Sequence, residues 1–133
     1  SEPRAYVFRL REMFSPTEYR VDGVWGRKWQ ARLLSLHPGM NFDLPALHST
    51  WHDLYRRYRI LDCGLSFYHL KMITRARRVA RRDLYNRLDP SGAYQRIGYD
   101  YLADDSGAVL RPIGRGREYL PPHHDDGGLW MPE

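Results

Sequence analysis

Residues 71–82 of the chain read Lys-Met-Ile-Thr-Arg-Ala-Arg-Arg-Val-Ala-Arg-Arg, which is one lysine, five arginines and no acid. They belong to a longer stretch, residues 43–88, in which apolar side chains recur every three or four positions. This spacing is typical of an amphipathic α-helix. Four basic residues would line one face of such a helix: Lys71, Arg75, Arg78 and Arg82. The stretch therefore predicts a long helix with an apolar side and a cationic side.

The predicted helical stretch has recognisable start and stop signals. Asp43 can cap the first turn, and Pro45 lies inside that turn, where a missing amide donor does no harm. The sequence Asp-Pro-Ser-Gly at residues 89–92 should end the helix. Gly64 lies within the apolar pattern without shifting its phase. One long helix, kinked at Gly64, and a helical hairpin are therefore both compatible with the pattern.

The flanking segments complete the prediction of a mainly α-helical fold in a single domain. Residues 1–42 should hold an extended segment, at residues 5–10, and a short amphipathic helix, at residues 25–36. Residues 89–113 should form a turn and a small β-hairpin. Residues 114–133, with four glycines and three prolines, should form an extended tail. A chain of 133 residues has the length of one domain.

The net charge is +5, and nineteen arginines carry it together with only two lysines. Arginine makes planar, bidentate contacts with phosphate and carboxylate groups, although a GC-rich genome would produce the same excess without any functional meaning. Local clustering is more informative, because solvated helix faces usually mix both signs of charge. The basic stretch does not mix them. The repulsion among its basic side chains would be relieved by RNA phosphates, by an acidic protein surface or by anionic lipid headgroups.

RNA is the favoured ligand, because a second cluster of arginine and tyrosine precedes the basic stretch, and both residue types stack on unpaired bases. The predicted RNA-binding or anion-binding residues are Lys71, Arg75, Arg77, Arg78, Arg81, Arg82, Arg56, Arg57 and Arg59. The predicted partner-binding residues are Trp51, Tyr55, Tyr58, Leu129 and Trp130. Together they describe a surface for rRNA and for neighbouring subunits.

The sequence predicts no catalytic residue, no metal site and no cofactor. Cys63 is the single cysteine, so the chain can form neither an internal disulfide nor a cysteine-based zinc site. His48 and His52 have the spacing of two zinc ligands on a helix, but residue 49 is serine, where a zinc protease motif requires glutamate. The apolar runs are far shorter than the ~20 residues of a transmembrane helix.

These observations favour a non-catalytic structural subunit of a large assembly, namely a ribosomal protein. A mitochondrial ribosome, in the matrix, is favoured over a cytosolic one because tyrosine and tryptophan are abundant and lysine is scarce. The alternative is an accessory subunit of a mitochondrial respiratory or ATP synthase complex. In that case the basic stretch would contact an acidic protein surface or anionic lipid.

A short motif supports this alternative. Residues 54–56, Leu-Tyr-Arg, resemble the tripeptide of the LYR family, which comprises small helical mitochondrial proteins that assist or belong to respiratory complexes. In that family the tripeptide lies near the start of a three-helix bundle, whereas more than fifty residues precede it here. The resemblance implies a respiratory-complex subunit, and we do not assign the family on three residues.

Overall fold

The computed structural model describes residues 3–35, 38–39, 58–116 and 118–119. Within them the chain forms one α-helix and five strands arranged in two sheets, so the prediction of a mainly helical fold is wrong. The elements are β1 (Arg4–Glu12), β2 (Glu18–Arg20), β3 (Trp29–Leu34), β4 (Arg59–His69), α1 (Arg75–Leu88) and β5 (Leu110–Pro112). Short 3₁₀ helices span Gly23–Arg27, Leu70–Met72 and Asp100–Leu102.

The error at β4 has a physical cause. Leu61, Leu65 and Tyr68 fit a helical spacing, but Leu61, Leu65 and Phe67 equally fit the alternation of a strand. Gly64 adopts a φ of +66°, a left-handed conformation that the interior of a right-handed helix does not use. The helix therefore begins only at Arg75, and neither a kinked helix nor a helical hairpin spans the described part of the stretch. The predicted helix over residues 43–57 lies outside the described residues.

Two other predicted elements are also replaced. The segment expected to be a short helix, residues 25–36, contains β3, which pairs with β1. The segment expected to be a hairpin, residues 89–113, contains β5, which pairs instead with the distant β2. Local patterns in a single sequence do not reveal which remote segments pair as strands. Most of the predicted tail lies outside the described residues.

The chain divides into two compact units. The sheet unit comprises Ser1–Leu10 and Lys28–Phe67, and the helix unit comprises Arg11–Arg27 and Tyr68–Glu133. Each unit is defined by contacts among segments that are distant in sequence.

In the sheet unit, β1 is the central strand between β3 and β4. It runs antiparallel to β3, with Val7 opposite Ala31 and Tyr6 opposite Leu33. The register shift between these two pairs leaves Arg32 as an extra residue of β3, which is a β-bulge. Ala31 is buried, whereas Leu33 is exposed. The bulge therefore places an arginine and an exposed leucine side by side on β3.

The helix unit contains the two-stranded sheet of β2 and β5 and two apolar clusters. The first cluster consists of Trp25, Met72, Tyr99 and Leu102, with Tyr85 and Tyr101 packed against it. The second consists of Met13, Ile73 and Ile113, with Tyr19, Tyr68, Leu70 and Tyr119 packed against it. Helix α1 begins where the Thr74 side chain accepts a hydrogen bond from the amide of Arg77 at 3.3 Å. This cap and the aromatic packing hold α1 in place.

Helix α1 ends at a buried carboxylate, Asp89. It accepts hydrogen bonds from the amides of Ala93 (2.7 Å), Tyr94 (3.2 Å) and Gln95 (3.2 Å) and from the hydroxyl of Tyr99 (2.7 Å). Burial acts to raise the pKa of Asp89, but these hydrogen bonds outweigh it and hold the pKa below its ordinary value. Burial and the adjacent carboxylate raise the pKa of Tyr99 to about 12. One ionised side chain therefore organises the loop that follows the helix.

Candidate anion-binding surface

The predicted basic face of α1 is largely used inside the helix unit. Arg77, Arg78 and Arg81 are buried. Arg78 donates hydrogen bonds to the carbonyl oxygens of Phe14 (3.1 Å) and Met72 (3.0 Å), and its guanidinium lies 3.9 Å from the centroid of the Phe14 ring. These contacts compensate for part of the desolvation of a buried guanidinium, whose Nε atom is buried without a hydrogen-bond partner among the described residues. Arg78 is thus a structural cross-link rather than an exposed anion ligand.

A carboxylate outside the predicted helical stretch balances part of this charge. Asp105 lies 2.7 Å from Arg75 and 3.2 Å from Arg78. Farther along the helix, Arg82 lies 2.7 Å from Asp83. The side chain of Arg75 is 64% exposed, so its ion pair is a surface pair of the kind that contributes little to stability. The exposed part of the basic face is therefore partly neutralised by the chain itself.

The remaining predicted site residues are distributed as follows. Lys71 is half-buried in the 3₁₀ helix before α1, Tyr58 is half-buried beside β4, and Arg59 is exposed at the start of β4. Six others lie outside the described residues: Trp51, Tyr55, Arg56, Arg57, Leu129 and Trp130. The predicted residues that the structure describes are therefore divided between the sheet unit, with Tyr58 and Arg59, and the helix unit, with Lys71 and the arginines of α1.

A second group of arginines, which sequence reasoning missed, lies in the sheet unit. Arg4, Arg9 and Arg32 are exposed, and no carboxylate among the described residues pairs with any of them. The guanidinium of Arg9 lies 5.1 Å from the centroid of the Trp29 ring. Arg32 donates to its neighbours in β3, the carbonyl of Ala31 at 3.4 Å and the side chain of Gln30. These contacts orient the guanidiniums without neutralising them.

The charge of the described sheet unit is strongly one-sided. It contains five basic residues, namely Arg4, Arg9, Lys28, Arg32 and Arg59, and one acidic residue, Asp62. The carboxylate of Asp62 accepts a hydrogen bond from the amide of Gly64 at 2.8 Å. The described part of the unit contains no run of basic residues, because the arginines of β1 and the arginine of β3 lie more than twenty residues apart in the sequence. The pairing of the two strands creates the concentration of charge.

One face of this sheet combines aromatic, apolar and basic side chains. Side chains alternate along β1, so Arg4, Tyr6 and Phe8 share a face. Phe67 joins them from β4, because its ring centroid lies 4.7 Å from that of Phe8. Leu65 follows by alternation, and the register places Leu33 and the bulged Arg32 opposite Tyr6. We call this surface the Phe8 face and define it by seven residues: Arg4, Tyr6, Phe8, Arg32, Leu33, Leu65 and Phe67. The polar Gln30, opposite Phe8, lies on the same side of the sheet.

The helix unit contains a small cavity lined by buried side chains. Its volume is about 10 Å³, which is the space of one water molecule. Its lining includes Glu12, Arg20, Trp25, Met72 and Arg78. Glu12 also lies 2.7 Å from His69. Among the described residues, no three His, Cys, Asp or Glu side chains are grouped so that they could hold a metal ion.

Two further findings bear on the class of protein. In the part of the chain that the structure describes, no helix has both the length and the apolar character needed to cross a bilayer. Comparison with protein-family models, with curated proteins and with solved structures gives no match. A function must therefore be argued from the chemistry of the residues themselves.

Proposed function

We propose that this chain is a non-catalytic RNA-binding subunit of a larger ribonucleoprotein and that its sheet unit contacts the phosphates. The observation that carries the proposal is the exposure of Arg4, Arg9 and Arg32 without a carboxylate partner among the described residues. That the assembly is a mitochondrial ribosome stays a prediction from composition.

The physical argument concerns what each arginine must give up to bind a phosphate. A guanidinium that is already paired must lose its carboxylate, as Arg75 would lose Asp105. Arg4, Arg9 and Arg32 have no such pair to break within the described residues, and they can displace the counterions of RNA directly. Binding through these three residues should therefore depend strongly on salt concentration.

The alternative, an accessory subunit of a respiratory or ATP synthase complex, also stays a prediction. The observation that favours it is the exposure of Leu33 (56%) and Leu65 (62%), which would suit a protein neighbour. The same arginines would then face an acidic protein or anionic lipid.

A salt series tests the proposal. The affinity of the purified full chain for a short, fluorescently labelled single-stranded RNA would be measured by anisotropy at increasing salt. Replacing Arg4, Arg9 and Arg32 together by Gln should lower the slope of log K against log salt by about 2, since each lost phosphate contact removes ~0.7. The matched control replaces three helix-unit arginines by Gln: Arg75 and Arg87, which are exposed, and Arg82, which is half-buried.

The control triple variant should change the slope by less than about 1. Thermal unfolding of both triple variants shows whether they remain folded. Two outcomes would overturn the proposal: no salt-dependent binding of RNA by the wild-type chain, or loss of slope in the helix variant with the sheet variant unaffected.

A further inference from the structure

We infer that the RNA bound by the sheet unit is single-stranded and that its unpaired bases stack on the Phe8 face, with Phe67 as the principal stacking residue. This inference rests on the proposed function, and it adds the form of the ligand and the surface that recognises it.

The aromatic pair of this face is suited to stacking. The rings of Phe8 and Phe67 are 4.7 Å apart with an interplanar angle of 51°. Phe67 is 38% exposed, whereas Phe8 is half-buried beneath the same face. Phe8 therefore supports a neighbouring ring that solvent can reach. An exposed ring with restricted orientation loses little freedom when a base stacks on it.

The exposed apolar surface extends across all three strands. Leu33 belongs to β3, Phe8 to β1, and Leu65 and Phe67 to β4. Neighbouring strands are ~4.8 Å apart, so the outer strands present side chains about 10 Å from each other. This width accommodates more than one base laid flat on the sheet. A surface of this kind contacts the faces of bases, not their hydrogen-bonding edges.

The charges on the face complement a nucleic acid strand. Arg4 and Arg32 lie on the same face as the aromatic pair, and the seven residues of the face include no acid. Phosphates that follow stacked bases would therefore meet guanidiniums. An acidic protein segment could meet the same two charges, but it would not need exposed rings. The combination of rings and guanidiniums favours a single-stranded nucleic acid.

Single strands should be preferred over duplexes for a geometric reason. In a duplex the faces of the bases are covered by the bases above and below, so a flat apolar surface reaches only the backbone. A duplex could use Arg4 and Arg32, but it would leave the apolar part of the Phe8 face in water. The two forms of RNA should therefore share the salt dependence and differ in affinity.

The test compares the two forms of RNA on matched variants. Affinity for a single strand and for a hairpin duplex of the same composition would be measured on the wild-type chain, on Phe67→Leu and on Trp29→Leu. Trp29 is an exposed aromatic residue opposite Arg9, so alternation places it on the other face of the sheet. Phe67→Leu keeps apolar bulk and removes the ring.

We expect Phe67→Leu to weaken single-strand binding about tenfold or more and to leave duplex binding within about twofold. Trp29→Leu should reduce both affinities by a similar, smaller factor. A second variant, Leu65→Asp, changes a side chain that is 62% exposed and adds a negative charge to the face, and it should also weaken single-strand binding. Photo-crosslinking with a 5-iodouridine strand should yield adducts at Phe67 or Phe8.

Equal affinity for both forms of RNA would overturn the inference, as would unchanged single-strand binding by Phe67→Leu and Leu65→Asp. Either result, together with a salt slope that depends on Arg4, Arg9 and Arg32, would leave the proposed function standing. Absence of salt-dependent binding to any RNA would overturn both. A protein neighbour whose binding is lost in Leu65→Asp, without any RNA binding, would identify the face as a protein interface.

Discussion

The helix unit and the sheet unit use arginine in opposite ways. In the helix unit, α1 carries a dense basic run, but Arg77, Arg78 and Arg81 are buried. In the sheet unit, Arg4 and Arg9 belong to a strand without any such run, and both are exposed without a described carboxylate partner. The density of basic residues along the sequence is therefore a poor predictor of the charge exposed to solvent.

The difference follows from the geometry of the guanidinium group. Arg78 can satisfy two backbone carbonyls and Asp105 while its plane covers the ring of Phe14. Lysine, with a compact ammonium group, could not make these contacts in one plane. A basic helix rich in arginine can therefore be a core element, and the contrast between the two units can be tested by breaking each in turn.

The largest effect should come from removing the buried cross-link. Arg78→Met should lower the free energy of unfolding by about 3 kcal/mol, because two carbonyl groups and Asp105 lose their buried donor. Urea denaturation would measure it. Arg87→Met, at an exposed position of the same helix, should change stability by less than about 0.5 kcal/mol. Equal effects of the two substitutions would contradict the assignment of Arg78 as structural.

The second effect concerns acid. The pKa of Asp89 is lowered in the folded chain, so its stabilising contribution is present above the ordinary carboxyl pKa and is lost as pH falls through the lowered value. The midpoint temperature of thermal unfolding should therefore decrease as the pH is lowered from about 5 to about 3. Asp89→Asn should unfold at a lower temperature than wild type near neutral pH and should show a smaller fall on acidification.

A matched variant distinguishes the effect of the Asp89 charge from the effect of losing one of its hydrogen bonds. Tyr99→Phe removes the hydroxyl donor to Asp89 and leaves the three amide donors in place. It should lower the midpoint by less than Asp89→Asn does and should keep part of the acid dependence. An unchanged acid dependence in Asp89→Asn would show that other carboxylates, such as Asp22 and Asp104, whose pKa values are also lowered, are responsible.

The smallest expected effect tests whether the segment around Gly64 is a strand, because the sign of the stability change differs between a strand and a helix. Gly64→Ala should lower the free energy of unfolding by about 1 kcal/mol, because the φ of +66° is costly for alanine. Crowding adds nothing, since no atom of the described residues beyond 63–65 lies within 4 Å of the added methyl group. In a helix the same substitution would stabilise by about 1 kcal/mol. Ser66→Ala, in the same strand, is the control and should change stability by less than about 0.5 kcal/mol. A stabilised Gly64→Ala variant would mean that this segment is helical.

How much of this could be read from the sequence varies from element to element. The strand-forming residues 5–10 lie in β1, and the basic half of the predicted helix contains α1. The apolar residues between Leu61 and Tyr68 fit both a helical and a strand period, and only the partner strand β1 decides between them. That partner lies more than fifty residues away. No local pattern could have supplied it.

The candidate site was harder to predict from the sequence for a related reason. The burial of Arg78 depends on Phe14, sixty-four residues before it, and on Asp105, twenty-seven residues after it. The cationic surface of the sheet unit depends on the pairing of Arg9 with Trp29 and on the bulge at Arg32. Alternation along β1 could have shown that Arg4 and Phe8 share a face. It could not have shown that Phe67 lies against them.

Arg32, the extra residue of β3, also determines where this sequence could tolerate a one-residue deletion. Ala31 already faces Val7 and Leu33 already faces Tyr6, so the ladder needs no residue at position 32. Deleting Arg32 would leave every neighbouring pair with its present partner and would remove a single guanidinium. At this position a one-codon deletion would therefore act as a change of charge, whereas elsewhere in a strand it would turn every following side chain to the opposite face.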